Sequence, residues 1–487
     1  MDTRFIAPIA LLVTGVTIFL VSNAIGFIGL FLLLPVLLAV LLVNRPKRLL
    51  FALWVVTLFV PALELIINNT LVKLIEQGIG AVLLAVLIGD VILTRKIETS
   101  VRTMSRLVTV LLFVAGASAI VNKVPPIAIL VYILTYIKHL WIFCFAVRFL
   151  TPADNRTVFL IGVVSVLIQV VANVFAYLGM NPLPLMLRRH FFDFSIGTLG
   201  NSHYVGYIMV AFCLLMIAYS KHTKIMLKRV LCWLAALVSL VQFYFCFPIH
   251  AYPLLVGALG SQFLTVSPAS PGRWFRRAWA LVLLGIVALM LTNQGFSIDI
   301  QGDMVSDKAV QRGIENLRHG LKFKAYREVF LNAGEHIRFP ILGGGPGNYS
   351  STTAFILQRP LSQLPHMFVM YTTLDPREVQ AGSIISLTRT GYIAIQGELG
   401  PLGLVSYWGL YLCAAYRIWS QWRRGMYSDI YSRALAEAFV PMVGFFLVLN
   451  ILIDAIIIYP LNIGLWIWAG ALWNPLPATD HESPPMK

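Results

Sequence analysis

The sequence predicts an all-α polytopic membrane protein with about 12–14 transmembrane helices and one large, partly helical periplasmic loop. Of its 487 residues, 59% are hydrophobic and only 12% are charged, and the mean hydropathy is +0.81. A soluble domain would carry charge on roughly a quarter of its residues. Two further observations, the recurrence of long apolar runs and the uneven placement of lysine and arginine, give the number and orientation of the spans.

Runs of ~20 mostly apolar residues, the length that crosses a bilayer, occur about fourteen times along the chain. Their centres lie near residues 13, 34, 57, 85, 114, 137, 167, 211, 238, 258, 286, 404, 445 and 467. The first two and the last two runs are short and closely joined. A total of about twelve or thirteen spans therefore also fits the pattern.

Basic residues mark one side of the predicted bundle. With the N-terminus inside, the even-numbered connections hold about twenty Lys and Arg, and the short odd-numbered connections hold about four. The asymmetry predicts that both ends of the chain are cytoplasmic. It also explains the net charge of +16 without a nucleic-acid partner.

The same count divides the chain into four parts. Residues 1–291 form the first part of the transmembrane bundle, 292–387 a large loop outside the cytoplasm, and 388–474 the last part of the bundle. Residues 475–487 form a cytoplasmic tail whose composition predicts disorder. A loop of this length is expected to have structure of its own, and its apolar spacing up to Phe330 is helical. The glycine-rich "PILGGGPGNYS" then ends that helix.

Two arginines, Arg188 and Arg189, lie in a short external loop against the general charge trend. They either bind lipid headgroups or form an anion site, since guanidinium groups match phosphate oxygens in pairs. The following "GTLGN", which ends at Asn201, offers backbone N–H donors at the start of the next span.

The stretch "SLTRTGYIAIQGELGPLGL", residues 386–404, carries polar side chains into a predicted span. On a helix, Arg389 and Gln396 share a face with Tyr392 close by, whereas Glu398 lies on the opposite side and ~13 Å deeper. Glu398 and Arg389 therefore cannot pair unless "GELGPLG" breaks the helix. Glu398 is either satisfied by another helix or by backbone N–H groups at such a break, or it has a functional role, because ionisable groups at membrane depth are costly and indicate function.

Three more charged residues, Asp90, Lys138 and Asp454, fall within or at the ends of predicted spans. Lys138 and one of the two acids would form either a structural ion pair or part of a proton path. The sequence leaves both interpretations open.

The motifs of several common chemistries do not occur in the sequence. It contains no phosphate-binding loop of the Walker type, no Gly-x-Ser-x-Gly elbow and no His/Cys cluster with metal spacing. All five cysteines lie in apolar runs, so no disulfide framework, metal site or cofactor is predicted. A multi-span protein with arginines gathered outside favours chemistry on a lipid-linked anion at the outer surface.

Three short motifs resemble the O-antigen ligase and polysaccharide polymerase superfamily. The large loop matches its pattern of an arginine, an aromatic residue and Pro…Gly-x-Gly at Arg327, Phe330, Pro340, Gly343, Gly345 and Tyr349. "GTLGNSHY" is similar to the family's "GTxGNPN". "RTGYIAIQGELGPLGL" is similar to "HNxYLxxxxELGxxG", with Tyr392, Glu398, Leu399 and Gly400 in register. Overall architecture, with one large loop before the last spans, also fits.

The sequence departs from the family pattern at two places. Arg389 stands where ligases have a histidine, followed by Thr390 in place of asparagine, and no arginine directly precedes "GTLGN". Both departures favour a polymerase over a ligase.

The resemblance implies an enzyme of the bacterial inner membrane that polymerises undecaprenyl-pyrophosphate-linked saccharide repeats at the periplasmic face, as in O-antigen or exopolysaccharide synthesis. The expected partners are this substrate, membrane lipids, a chain-length regulator and a flippase. One alternative is a ligase that transfers a lipid-linked glycan to lipid A core or protein. A second is a transporter or flippase of lipid-linked oligosaccharide, which predicts repeated halves and midplane charges that the sequence does not display.

The resemblance also suggests roles for individual residues. Arg327 and Arg389, with Arg188 or Arg189, are expected to hold the pyrophosphate, and Arg338 is a further candidate. The candidate bases are Glu335, His336, His366 and Asp375, and the alternative is that the acceptor loses its proton late without a dedicated base. The candidate substrate-binding residues at the other matched motif positions are Asn201, His203, Tyr392 and Glu398.

Overall fold

The computed structural model describes residues 45–67, 72, 74–94, 102–177, 197–199, 201–246, 252–264, 326–327, 329–349, 351, 353 and 390–474. Over these residues the chain is helical and has no β-strand. The predicted spans near residues 13, 34 and 286 lie outside the described part, as does most of the large loop. The site candidates Arg188, Arg189, His366, Asp375 and Arg389 also lie outside it.

Eleven helices in the described part coincide with predicted span centres. They are α1 (Pro46–Ile67), α2 (Leu74–Thr94), α3 (Arg102–Val121), α4 (Pro126–Phe149), α5 (Asn155–Tyr177), α6 (Ser202–His222), α7 (Met226–Phe245), α8 (Tyr252–Leu264), α9 (Gly391–Arg423), α10 (Ile430–Leu452) and α11 (Tyr459–Leu472). Eight of them, α1–α7 and α10, are long and apolar enough to cross a membrane. The prediction of an all-α, multi-pass membrane protein is confirmed at this level.

The centre of the bundle is α6, which packs between α7 and α10 and is buried on nearly every side. Its uniformly apolar sequence is typical of a helix surrounded by other helices. Around it, α9 packs against α3 and α10, and α11 packs against α4. By contrast, α5 and α7 present exposed leucine and valine side chains outward, as lipid-facing helices do.

Ion pairs join the helices at one end of the bundle, which we call the basic end. The pairs there are Lys47–Asp154 at 2.6 Å, Arg148–Asp90 at 2.6 Å, and Lys221–Glu437. The opposite end, which we call the loop end, gathers the end of α3, the starts of α4, α9 and α11, and the end of α10.

Two helices are irregular at the loop end. In α4 a π-helical turn, Ile133–Ile137, comes directly before Lys138, and such turns are frequent at functional sites. In α9 the backbone leaves helical geometry at Gly400, whose φ is +65°, and Pro401 follows. The "GELGPLG" stretch therefore does break its helix.

Candidate functional site

The break in α9 exposes two backbone carbonyls. Pro401 has no N–H to donate to Gly397, and the turn of the chain at Gly400 removes the regular partner of Glu398. A buried carbonyl without a partner would cost free energy comparable to a lost hydrogen bond. The break is therefore stable only if another segment supplies donors.

The glycine loop, which we define as residues 340–349, supplies them. Gly344 donates its backbone N–H to the Gly397 carbonyl at 2.7 Å, and Gly345 donates to the Glu398 carbonyl at 3.0 Å. The two backbones touch, since a Cβ on Gly343 would lie 2.5 Å from the carbonyl carbon of Glu398. A Cβ on Gly400 would likewise lie 2.2 Å from the Ile341 oxygen. Glycine is required on both sides of this contact.

The turn between α3 and α4 holds the loop and the break from a third side. Ser118 donates its hydroxyl to the Glu398 carbonyl at 2.9 Å. Asn122 donates its amide Nδ2 to the Gly343 carbonyl at 3.0 Å. Three segments far apart in the sequence therefore meet at one place at the loop end.

The Glu398 carboxyl group lies inside this contact and is fully buried. Its Oε1 accepts the backbone N–H of Tyr349 at 3.3 Å, and the Gly347 N–H and the Ser351 hydroxyl also face the carboxyl group. Its Oε2 has no hydrogen-bond partner among the described residues. Backbone donors at a helix break, one of the two conditions that the sequence allowed for Glu398, are thus present and come from the glycine loop.

A tyrosine ties the start of the described loop to the start of α9. The Tyr326 hydroxyl donates to the Ile451 carbonyl at 2.7 Å and lies 2.9 Å from the Thr390 hydroxyl. Burial raises the pKa of Tyr326 to about 12, although the Thr390 hydrogen bond opposes this shift. The phenol therefore keeps its proton, and the hydrogen bond, throughout the physiological pH range. Arg327, the next residue, is exposed at the loop end.

Three other predicted site residues of the large loop, Arg338, Glu335 and His336, directly precede the glycine loop in the chain. Arg338 is exposed, with its guanidinium carbon 5.3 Å from the centre of the Phe339 ring. Glu335 and His336 lie on a short helical turn, Ala333–His336, and their side chains are outside the described part. Their catalytic roles stay predictions.

The predicted substrate ligands on the helices already have partners. Asn201 caps α6 by accepting the backbone N–H groups of His203 at 2.9 Å and Tyr204 at 3.3 Å. His203 is half-buried in the first turn of that helix. Tyr392 is buried, donates its hydroxyl to the Leu447 carbonyl and packs its ring 5.2 Å from Trp408. Their assignment to substrate binding is untested.

The charged residues within the spans are paired, but not as the sequence suggested. Lys138 donates to Glu76 at 2.7 Å, and both side chains are 2% exposed. Asp90 instead pairs with Arg148, and Asp454 accepts from Tyr136 at 2.6 Å. Of the two open interpretations for Lys138, an ion pair is present, with an acid that sequence reasoning had not selected.

Sequence reasoning missed Ser118, Asn122 and Glu76. The first two are small polar residues near a span end and look unremarkable in isolation. Glu76 carried a usable signal, because it is an acid at the start of an apolar run.

The fold and the site define a multi-pass helical membrane protein with a loop docked into a broken helix. No protein-family model matches the chain, and no curated protein matches it.

Proposed function

We propose that the chain is an inner-membrane glycosyltransferase that polymerises undecaprenyl-pyrophosphate-linked saccharide repeats at the periplasmic face. The observation that carries the proposal is the docking of the glycine loop onto the α9 break, through Gly344 and Gly345. These two segments carry most of the resemblance to the polymerase and ligase superfamily. Their contact is the arrangement expected if both belong to one site.

The Tyr326–Thr390 hydrogen bond supports a joint role for the two principal arginines. Arg327 follows Tyr326 in the chain, and Arg389 precedes Thr390. The two hydroxyl groups lie 2.9 Å apart, so the residues directly next to the two arginines in the sequence are in contact at the loop end. Guanidinium groups hold phosphate oxygens in paired hydrogen bonds and stay charged in a partly dry cleft.

The proposed reaction needs alignment and charge stabilisation. The acceptor's hydroxyl oxygen bonds to the anomeric carbon of the donor chain, and the bond from that carbon to the pyrophosphate oxygen breaks. The lipid pyrophosphate leaves with the bonding electrons, and Arg327 and Arg389 stabilise its charge. The hydroxyl proton passes to a base, for which Glu335 and His336 are candidates. Alignment of the two substrates supplies much of the remaining rate enhancement.

The charge distribution supports the proposed orientation. Lysine and arginine concentrate on the cytoplasmic side of membrane proteins. The basic end, with Lys47, Arg148 and Lys221, would therefore face the cytoplasm. The loop end would then open to the periplasm, where lipid-linked repeats are joined.

The first prediction tests the arginines. Purified protein in liposomes with lipid-linked repeats is expected to produce longer chains, measured by gel electrophoresis of the products. Arg327→Ala and Arg389→Ala should each reduce chain growth by about 10²–10³-fold, because each removes charge stabilisation from the leaving group. Arg389→Lys should recover only part of the activity, since the planar fork is lost. Arg424→Ala, exposed at the basic end, is the matched control and should be neutral.

Three outcomes would contradict the proposal in different ways. Near-normal chain length with Arg389→Ala would place the active site elsewhere. Transfer of a finished glycan to another acceptor would indicate the ligase reaction. Movement of the lipid-linked repeat across the vesicle without elongation would indicate a transporter.

A further inference from the structure

Lys123 has an unusual backbone conformation at the end of α3. Its φ is +51°, and it is the one non-glycine residue with positive φ in the described part of the chain. The Lys123 N–H bonds to the Ile120 carbonyl at 3.2 Å, and the Val124 N–H bonds to the Ala119 carbonyl at 2.9 Å. This pair of bonds is a Schellman helix end, in which the left-handed position is normally glycine. The backbone conformation at position 123 therefore favours glycine, whereas the sequence has lysine there.

Among the described residues, no contact of the Lys123 side chain explains this choice. It is exposed, and the ion pairs of the described residues do not include it. Its neighbours do the packing, since Val124 is buried against Ala119 and Ala128. A lysine in a disfavoured backbone conformation, without contacts to the described residues that require it, points to a role for the side chain itself.

The position of the turn indicates what that role is. Asn122 donates to the Gly343 carbonyl at 3.0 Å, and a Cβ on Gly345 would lie 2.6 Å from Val124 Cγ2. The residues on both sides of Lys123 thus touch the glycine loop, which fixes the turn at the candidate site. Lys123 adds a positive charge beside the glycine loop, at the end of the bundle where Arg327 and Arg338 are also exposed.

We propose that Lys123 is an anion-binding residue, whose ammonium contacts a phosphate of a diphosphate-bearing ligand at the glycine loop. The identity of the ligand rests on the proposed function, whereas the role of the side chain rests on the turn. An ammonium is a compact charge with three rotatable donors, which suits phosphate oxygens at the edge of a site. The turn adopts its strained form so that this charge stays beside the loop.

A structural role and an anion-binding role of Lys123 predict different effects of substitution. A structural role predicts a loss of stability, and an anion-binding role predicts a loss of pyrophosphate affinity. The full-length protein is placed in phosphatidylcholine nanodiscs, and inorganic pyrophosphate binding is measured by calorimetry. Lys123→Gly relieves the backbone strain and removes the charge. We expect its melting temperature to be equal to or above that of the unsubstituted protein, and its pyrophosphate affinity to fall about tenfold. Lys123→Arg should keep the affinity, and Lys224→Gly, an exposed lysine at the basic end, should change nothing.

Unchanged pyrophosphate affinity in Lys123→Gly would overturn the proposal, as would a lack of pyrophosphate binding by the unsubstituted protein. A second set of nanodiscs contains phosphatidylglycerol. If Lys123→Gly lowers only the retention of that lipid, the lysine serves the bilayer headgroups and the proposal fails. Chain growth is assayed in parallel. Normal chain growth and unchanged pyrophosphate affinity in Lys123→Gly would refute the anion-binding role of Lys123 but leave the proposed polymerase function standing. No chain growth by the unsubstituted protein would refute the polymerase function alone.

Discussion

At the scale of single residues, Glu398 is a buried acidic side chain that holds the glycine loop against α9. A fully buried carboxylate is unfavourable in a membrane protein unless donors face it. The Tyr349 and Gly347 backbone N–H groups and the Ser351 hydroxyl do so, and all three belong to the chain segment that includes the glycine loop. Glu398 therefore holds that segment by its side chain, while its carbonyl holds Gly345.

The second prediction concerns this tie. Glu398→Ala leaves buried donors without a partner, at about 1–3 kcal/mol for each one. We expect a clearly lowered melting temperature in detergent and faster proteolysis at the glycine loop. Glu398→Gln keeps one acceptor oxygen and should be affected less. Ser406→Ala, in the same helix, removes only a bond to the Leu402 carbonyl and serves as the control. Equal melting temperatures for Glu398→Ala and Ser406→Ala would refute the structural role.

Lys123 differs from Glu398, because its side chain is exposed and its backbone conformation is strained. A non-glycine residue in the left-handed region costs roughly 1–2 kcal/mol. Residues with such strain persist where function requires them, so the expected gain in stability from Lys123→Gly and the expected loss of binding belong together.

At the scale of elements, the break in α9 is possible because two glycines meet. Gly400 adopts a φ of +65°, and Gly343 adopts a φ of +75° in the facing loop. Neither position has room for a Cβ, and each faces backbone atoms, which cannot rotate away. The helix, the loop and the α3–α4 turn consequently form one interlocked unit.

The third prediction tests this unit. Gly400→Ala would place a methyl group 2.2 Å from the Ile341 oxygen in a backbone conformation unfavourable for alanine. The loop must then withdraw from the helix, and the Gly344 and Gly345 bonds are lost. We expect a loss of stability above ~2 kcal/mol, the sum of two hydrogen bonds at about 1 kcal/mol each, together with loss of chain growth. Thermal unfolding and the liposome assay measure these effects.

The control for Gly400→Ala is another glycine of the same helix. A Cβ on Gly409 would meet Leu107 at 3.4 Å, at the near edge of ordinary contact. Gly409→Ala should therefore keep the melting temperature and the activity. If both alanine variants behave alike, the close approach at Gly400 is not what holds the loop.

At the scale of the whole molecule, buried charges join helices that are distant in the sequence. Lys138 and Glu76 are 62 positions apart, and the Lys138 ammonium also lies 3.5 Å from the centre of the Tyr459 ring. The pair thus links α2, α4 and α11 near the loop end. Desolvation of both charges opposes the formation of a buried ion pair. Removal of only one partner destabilises the protein much more, because it leaves the other charge buried and unpaired.

The fourth prediction separates these two costs. Lys138→Met alone should lower the free energy of unfolding by about 3–5 kcal/mol, because it leaves the Glu76 carboxylate buried without its partner. The double variant with Glu76→Leu should recover most of that loss, since both charges are then gone. Thermal unfolding of the two single variants and the double variant forms a double-mutant cycle. Additive effects would mean that the two side chains are not energetically coupled.

The sequence by itself determined the class of fold, the positions of the described helices and the two segments of the candidate site. Apolar runs are local, so the spans near residues 57 to 258 and 404 to 467 were predictable without tertiary information. The glycine and proline residues of "GGGPGN" and "GELGPLG" likewise predict irregular backbone at these two segments.

Only the tertiary structure decided which groups satisfy one another. Tyr349 and Glu398 are 49 positions apart, and Ser118 and Glu398 are 280 apart, so no spacing rule connects them. The same holds for Lys138, which bonds to Glu76 and not to either acid proposed from the sequence. The physical reason is that the hydrophobicity of a segment is a local property and predicts its burial. The partner of a buried polar group depends instead on which helices pack side by side.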